Sequence, residues 1–205
     1  SWNKMSVDFR GQPTSNITDS MPDAVLGIDV GTTAVKGVLV SEDGLIKSDS
    51  KSFLEVSHPH PGWSEQDPED WWKATCSVVT DIMANAKSVN VKAVGLSGQM
   101  HSSVFLDAHQ QVIRPALLWN DVRTTAQCQQ ITSSLGMSRL RQTVGNLALE
   151  GFTAPKVLWL REKEPRSFER LQTLLLPKDY IRLRLTGELA TDHSDASGTL
   201  FYDIQ

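Results

Sequence analysis

Apolar and small or polar residues alternate along 24–40, AVLGIDVGTTAVKGVLV. Val25, Leu26, Ile28 and Val30, then Val35, Val38, Leu39 and Val40, predict two short strands folded about a Gly31-Thr32-Thr33 turn. A turn at Glu42-Asp43-Gly44 leads into a third strand between Leu45 and Val56. The period then changes. Asp67-Pro68-Glu69 reads as a helix start, with Asp at the cap and proline in the first turn. Trp71, Trp72, Ala74, Val78, Val79, Ile82 and Met83 follow at helical spacing. Residues 91–99, VKAVGLSGQ, predict a buried strand that ends in a Ser97-Gly98-Gln99-Met100-His101 turn. VFLDAHQQVI predicts a hairpin with Asp107 and Gln110 flanking its tip, and LLWNDVRT passes from strand to helix with Asn120 or Asp121 as the cap. Helical periodicity covers 121–135 and 153–164, where Pro165 interrupts it. TLLLP predicts a short strand, DYIRLRLTGE a helix closed by Gly187, and TDHSDASGTLFYD a polar turn leading into another strand. Strands that pair first as hairpins and then alternate with helices predict a mixed α/β fold.

Composition narrows the classes. The 205 residues suffice for one large domain or one and a half ordinary ones. Residues 1–23 lack periodicity and are rich in Ser, Asn, Asp and Pro, which predicts a flexible leader without a secretory signal. No apolar run is long enough to cross a membrane, and a net charge of -4 argues against nucleic acid as the main partner. The two cysteines, Cys76 and Cys128, fit reduced thiols in the cytoplasm better than a disulfide framework. Neither lies near His or Asp at metal-ligand spacing.

Candidate chemistry gathers at two turns. At the first, Gly31 gives a ligand close access to the main chain, and Thr32 and Thr33 add hydroxyl and amide donors. Asp29 sits where a carboxylate could hold a metal or its water, so the turn suits nucleotide phosphates and their Mg2+. It is neither a GxxxxGK[ST] loop nor a GxGxxG fingerprint. Glycine turns between apolar strands are common, and an Asp at a turn usually caps its own backbone, so this segment alone leaves both readings open. At the second turn, His101 could bond a substrate hydroxyl and Gln99 offers both a donor and an acceptor. A single His after a strand is more often structural. Trp63, Trp71, Trp72, Trp119 and Trp159 fill cores in most proteins, though an aromatic wall against a sugar face is a recurrent use. His58, His60 and His193 lie in polar loops, and no Ser-His-Asp order suggests a hydrolase.

In order and spacing, GIDVGTTAVKG, HPHPGWSEQDPEDWW, GLSGQMH, ALLWNDVR, GNLALEGFTAPKVLWL, LLLPKDYIRLRLTGE and TDHSDASGTL resemble the FGGY carbohydrate kinases in their bacterial xylulokinase branch. The resemblance covers residues 24–205. It implies a ribonuclease H-like, actin-like ATPase fold of two domains, with ATP and sugar in the cleft between them. It also implies transfer of the γ-phosphoryl of Mg-ATP (ATP with Mg2+) to D-xylulose, giving D-xylulose 5-phosphate. Asp29 matches the acid that acts near metal and phosphates, and Gly31, Thr32 and Thr33 match the phosphate-facing turn, with Lys36 just beyond it. Met100 and His101 match the pair that contacts the sugar, beside Gln99, and Asn120, Asp121 and Arg123 match a block near the same pocket.

Two departures bear on this. Ser102 stands where the branch usually has Gly, and its side chain could narrow the pocket or alter which ketose fits. The family's general base, an Asp in a Gly-Gly-Gly-Asp-Asn motif, does not occur before Gln205. The expectation is therefore the sugar-binding N-terminal domain, without the nucleotide domain and feeble or inactive alone. Two alternatives stay open: a non-catalytic fragment that only binds sugar, or a kinase for L-ribulose, sedoheptulose or another polyol. A bare cleft face would be apolar, and a homodimer formed through it is a further possibility.

Overall fold

In the computed structural model, residues 6–7, 13–14, 21–86 and 88–204 are described. Most of the expected flexible leader therefore lies outside the described residues. Within it, β1 (Ser6–Val7) and β2 (Pro13–Thr14) pair antiparallel.

The alternation at 24–40 folds as expected. β3 (Asp23–Val30) and β4 (Ala34–Ser41) form an antiparallel pair in which Asp29 faces Lys36. β5 (Ile46–Phe53) continues the hairpin on one side of β4, and β7 (Asn90–Gly98) runs parallel to β3 on the other. The sheet order is β5-β4-β3-β7. Ala24, Leu26, Ile28 and Val30 turn to the core, where α1 (Pro68–Asn85) lays Trp71, Ala74, Val78 and Ile82 against them. Gly37 makes that approach possible. A β-carbon there would stand 2.7 Å from Ile82 Cδ1. Asp67 caps α1 as predicted, its carboxylate accepting from the Glu69 amide at 2.9 Å.

The chain also builds a smaller layer, mostly from residues after β7. β6 (Glu65–Gln66) pairs with β9 (Ala116–Leu117), and β8 (Val104–Leu106) pairs with β10 (Thr173–Leu175). Helices α2 (Thr125–Leu135), α3 (Met137–Val144), α4 (Thr153–Lys163) and α5 (Pro165–Arg170) gather beside these pairs. α6 (Pro177–Thr186), closed by Gly187 in the left-handed region at φ 75°, adds Ile181 and Leu183 to the main core. α7 (His193–Ser197) is the last element. No helix among the described residues is long and apolar enough to cross a membrane.

Several expectations need correction. The strand at 91–99 is not buried: β7 is an edge strand, and its residues 92–95 are all exposed. Its apolar run matches a central strand, but among the described residues no further strand pairs with it. Neither Asn120 nor Asp121 caps the following helix, which starts at Thr125. Asp121 spends its oxygens on other partners. Pro165 does interrupt the helical run after Lys163 as expected, and it then opens α5, because proline fits a helix's first turn. α3 was not predicted. The tail at 191–203 forms α7 rather than a strand, since Asp192 accepts from the Asp195 amide at 2.9 Å and starts a helical turn.

Candidate sugar and phosphate site

Parallel β3 and β7 end side by side, and their carboxyl ends carry the two candidate turns. In α/β sheets ligands bind at such ends. Asp29 accepts a hydrogen bond from Ser97 Oγ at 2.8 Å, so the two strands hold its carboxylate between them. Oδ2 lies beside Gly31, where a β-carbon would stand 3.7 Å away and would also crowd the Ala34 carbonyl at 2.9 Å. Glycine therefore keeps this cradle open. Asp29, Lys36 and Ser97 line one shallow depression of about 390 Å³ on the sheet face turned away from α1. One carboxylate in an open depression suits Mg2+, which takes few protein ligands and keeps waters and phosphate oxygens.

Gln99 ties the first candidate turn to the second. Its amide is buried, donating to Gln66 Oε1 at 3.1 Å and accepting from Ser102 Oγ at 3.0 Å. Thr32 Oγ1 reaches the same Gln99 oxygen at 3.4 Å, and Trp119 Nε1 donates to Thr32 Oγ1 at 3.0 Å. Gln66 in turn donates to the Thr32 carbonyl at 2.7 Å and accepts from Trp71 Nε1 at 3.0 Å. Loops 31–33, 97–103 and 117–121 thus meet through one network. Gln99 serves as its hub rather than as a surface that a sugar can reach.

Around this hub, Met100 and Trp119 are 51% and 42% exposed, with Asn120 exposed next to them. His101 takes a left-handed backbone at φ 61° and is half-buried, its ring edge-on to Phe152 with centroids 4.7 Å apart. Burial, and then the nearby Lys156 charge, lower its pKa below the usual imidazole value, partly opposed by the Gly198 backbone. His101 is thus neutral near pH 7, with one ring nitrogen to donate and one to accept. Nδ1 is buried without a hydrogen-bond partner.

Asp121 and Arg123 have other roles than those expected. Asp121 is fully buried. Its Oδ2 accepts from the Ser64 amide at 2.7 Å and pairs with Arg123 at 2.6 Å. Arg123 stacks on Trp63 at 3.6 Å from the ring centroid, and its guanidinium also meets Glu65 at 2.8 Å. This buried pair anchors the loop carrying Trp119 and Asn120, and the side chains of Asp121 and Arg123 are themselves enclosed. The reading of Ser102 also changes. It is fully buried, donating to Gln99 and accepting from the Trp119 amide at 3.0 Å. Its side chain braces the loop from behind and cannot narrow the pocket. Sequence reasoning missed Gln66, Ser97, Trp119 as a polar partner, and Lys156. Of these only Ser97 carried a signal, its place within the Ser97-Gly98-Gln99 turn.

The model of the FGGY family of carbohydrate kinases, N-terminal domain, matches residues 24–205. The chain belongs to this family. It is 48% identical over 179 residues to the xylulose kinases of Klebsiella pneumoniae and Escherichia coli K12, covering 87% of this chain and 37% of each relative. The solved xylulose kinase of Rhodospirillum rubrum superposes with a TM-score of 0.86 at 27% identity, over 88% of this chain and 38% of that one. The chain thus spans little more than a third of the FGGY kinases it matches. The mixed sheet with flanking helices is the actin-like ATPase fold of these sugar kinases, as the resemblance implied.

Proposed function

We propose that this chain is the sugar-binding portion of a kinase that phosphorylates D-xylulose with Mg-ATP. The observation that carries the reading is the meeting of Asp29, the Thr32 turn, His101 and Trp119 at the shared ends of β3 and β7. Phosphoryl transfer depends mainly on positioning and charge neutralisation. The carboxylate of Asp29 and the hydroxyls of Thr32 and Thr33 form the side of the site that faces phosphates and Mg2+. Lys36, exposed on the same sheet face as Asp29, adds positive charge there. Met100, Asn120 and the exposed Trp119 ring form the other side, against the apolar face of the ketose. The neutral His101 ring donates to or accepts from a sugar hydroxyl. Mg-ATP, when bound, supplies the γ-phosphoryl group and the cation that offsets its charge. We assign the acceptor of the hydroxyl proton to the part of the relatives that this chain does not span.

A second ketose as substrate loses its main ground, because Ser102 does not face the pocket. Titration calorimetry with D-xylulose tests the reading. The informative variant is His101→Asn, since Asn tolerates a left-handed backbone and keeps the loop in place. Wild-type binding that weakens at least about tenfold in the variant, the loss of one good hydrogen bond, supports the assignment. Equal affinity in the two proteins overturns it.

A further inference from the structure

We infer that Lys156 is a positioning residue for His101, an assignment that rests on reading the His101 loop as the sugar site. Lys156 lies in α4 and is fully buried. Its Nζ turns back along the helix and donates to the carbonyls of Gly151 and Phe152, the latter at 3.1 Å. The charged groups nearest it are Asp121 and Arg123, and Asp121 is already committed to Arg123 and Ser64. The Cys128 thiol of α2 and the His101 ring also face it. A lysine buried with only two carbonyls as partners costs more than the methionine or leucine that would fill the same space. What those carbonyls do explains its presence.

They belong to the turn on which His101 rests. Phe152 sets its ring against the imidazole, and Thr153 Oγ1 donates to the His101 carbonyl at 3.0 Å. Gly151 sits so close to the Trp119 carbonyl that a β-carbon would stand 2.9 Å from it. On the opposite side Gly198 leaves no room for a side chain, since a β-carbon there would lie 2.8 Å from Nδ1. The ring is thus clamped between Phe152 and Gly198. Its own backbone is left-handed at φ 61°, an uncommon conformation for any residue other than glycine, and these contacts surround it. Lys156 fastens the movable jaw of this clamp. Without its two hydrogen bonds the 151–153 turn keeps only its ties through the Phe152 and Ala154 amides and Thr153 Oγ1, and the seat of the imidazole loosens.

The test is Lys156→Met, which keeps the apolar stem and removes the donors. In solution NMR, the nuclear Overhauser contacts between the His101 ring, the Phe152 ring and Gly198 are expected to fade. His58, His60 and His193 keep their resonances. Affinity for D-xylulose falls about tenfold in parallel, as for one lost hydrogen bond. Ring contacts unchanged in Lys156→Met overturn the proposal. A wild-type chain that binds no D-xylulose defeats the sugar-site reading instead, while the ring contacts still decide the role of Lys156. Should Lys156→Met fail to fold, Phe152→Leu keeps the amine and removes the jaw. Intact contacts between His101 and Gly198 in that variant also overturn the proposal.

Discussion

Lys156 also sets how stability responds to pH. Burial lowers its pKa from 10.5 to about 7, with Asp121 acting in the opposite direction. Between those values the unfolded chain binds a proton that the folded chain has lost, so stability rises with pH across the interval. The slope is at most about 1.4 kcal/mol per pH unit. Cys128 works the other way at higher pH, because burial raises its thiol from 9.0 to about 11 and the folded chain keeps that proton longer. The interval from pH 7 to 9 therefore isolates the lysine. Urea unfolding at steps across it is expected to show rising midpoints, and Lys156→Met to flatten the rise. A falling midpoint in the wild type refutes the assignment of a neutral buried amine. At this scale the sequence was only partly readable. Asp29 and His101 could be proposed from residue type and place alone. Asp121 and Ser102 read as pocket residues because a motif block shows position in the chain, not which way a side chain turns. Lys156 gave no signal, since one lysine in a helical run normally faces water.

Among the elements, the contact between α1 and the sheet depends on one missing side chain. The Val78 and Ile82 side chains occupy the place that a Gly37 β-carbon would need. Gly37→Ala is expected to destabilise the fold by about 1–3 kcal/mol, the usual cost of overpacking a tight core. Thermal melting checks this, and a variant as stable as the parent shows that α1 can move aside. α1 itself was legible in full, from the Asp67 cap to the buried Trp71, Ala74, Val78 and Ile82, because cap chemistry and apolar period agree. The hairpin of β3 and β4 was legible for the same reason. α3 escaped notice because it is short and mostly polar, with only Leu140 and Val144 buried. α7 escaped because a five-residue helix held by one Asp192 cap has no period to read.

For the molecule as a whole, the site is one-sided. The groups proposed to orient a sugar and to meet phosphates stand together, while the proposed proton acceptor is assigned to the length of FGGY kinases that this chain does not span. General-base assistance is worth ~10²–10⁴ in rate. The 205-residue polypeptide is therefore expected to release ADP from Mg-ATP in the presence of D-xylulose at least about 100-fold more slowly than a full-length relative. A coupled ADP assay with and without the sugar reads this directly. Sugar-dependent turnover near the full-length rate places the acceptor within these residues. Fold class and family were open to sequence reading because blocks spread over 24–205 keep their order.

The two margins of the main sheet differ in how they meet neighbours. β5 carries Lys47, Asp49 and Lys51 along its rim, charges that repel an incoming strand. β7 offers Val91, Ala93, Val94, Gly95 and Leu96 with only Lys92 among them. Its outward amides and carbonyls form a ready ladder, and Val94 is 47% exposed beside it. Among the described residues this rim has no strand partner, so in concentrated solution the chain is expected to associate through it despite a net charge of -4. Crowding favours strand-to-strand stacking along β7, so dilution or an added charge on that rim is the natural remedy for turbidity.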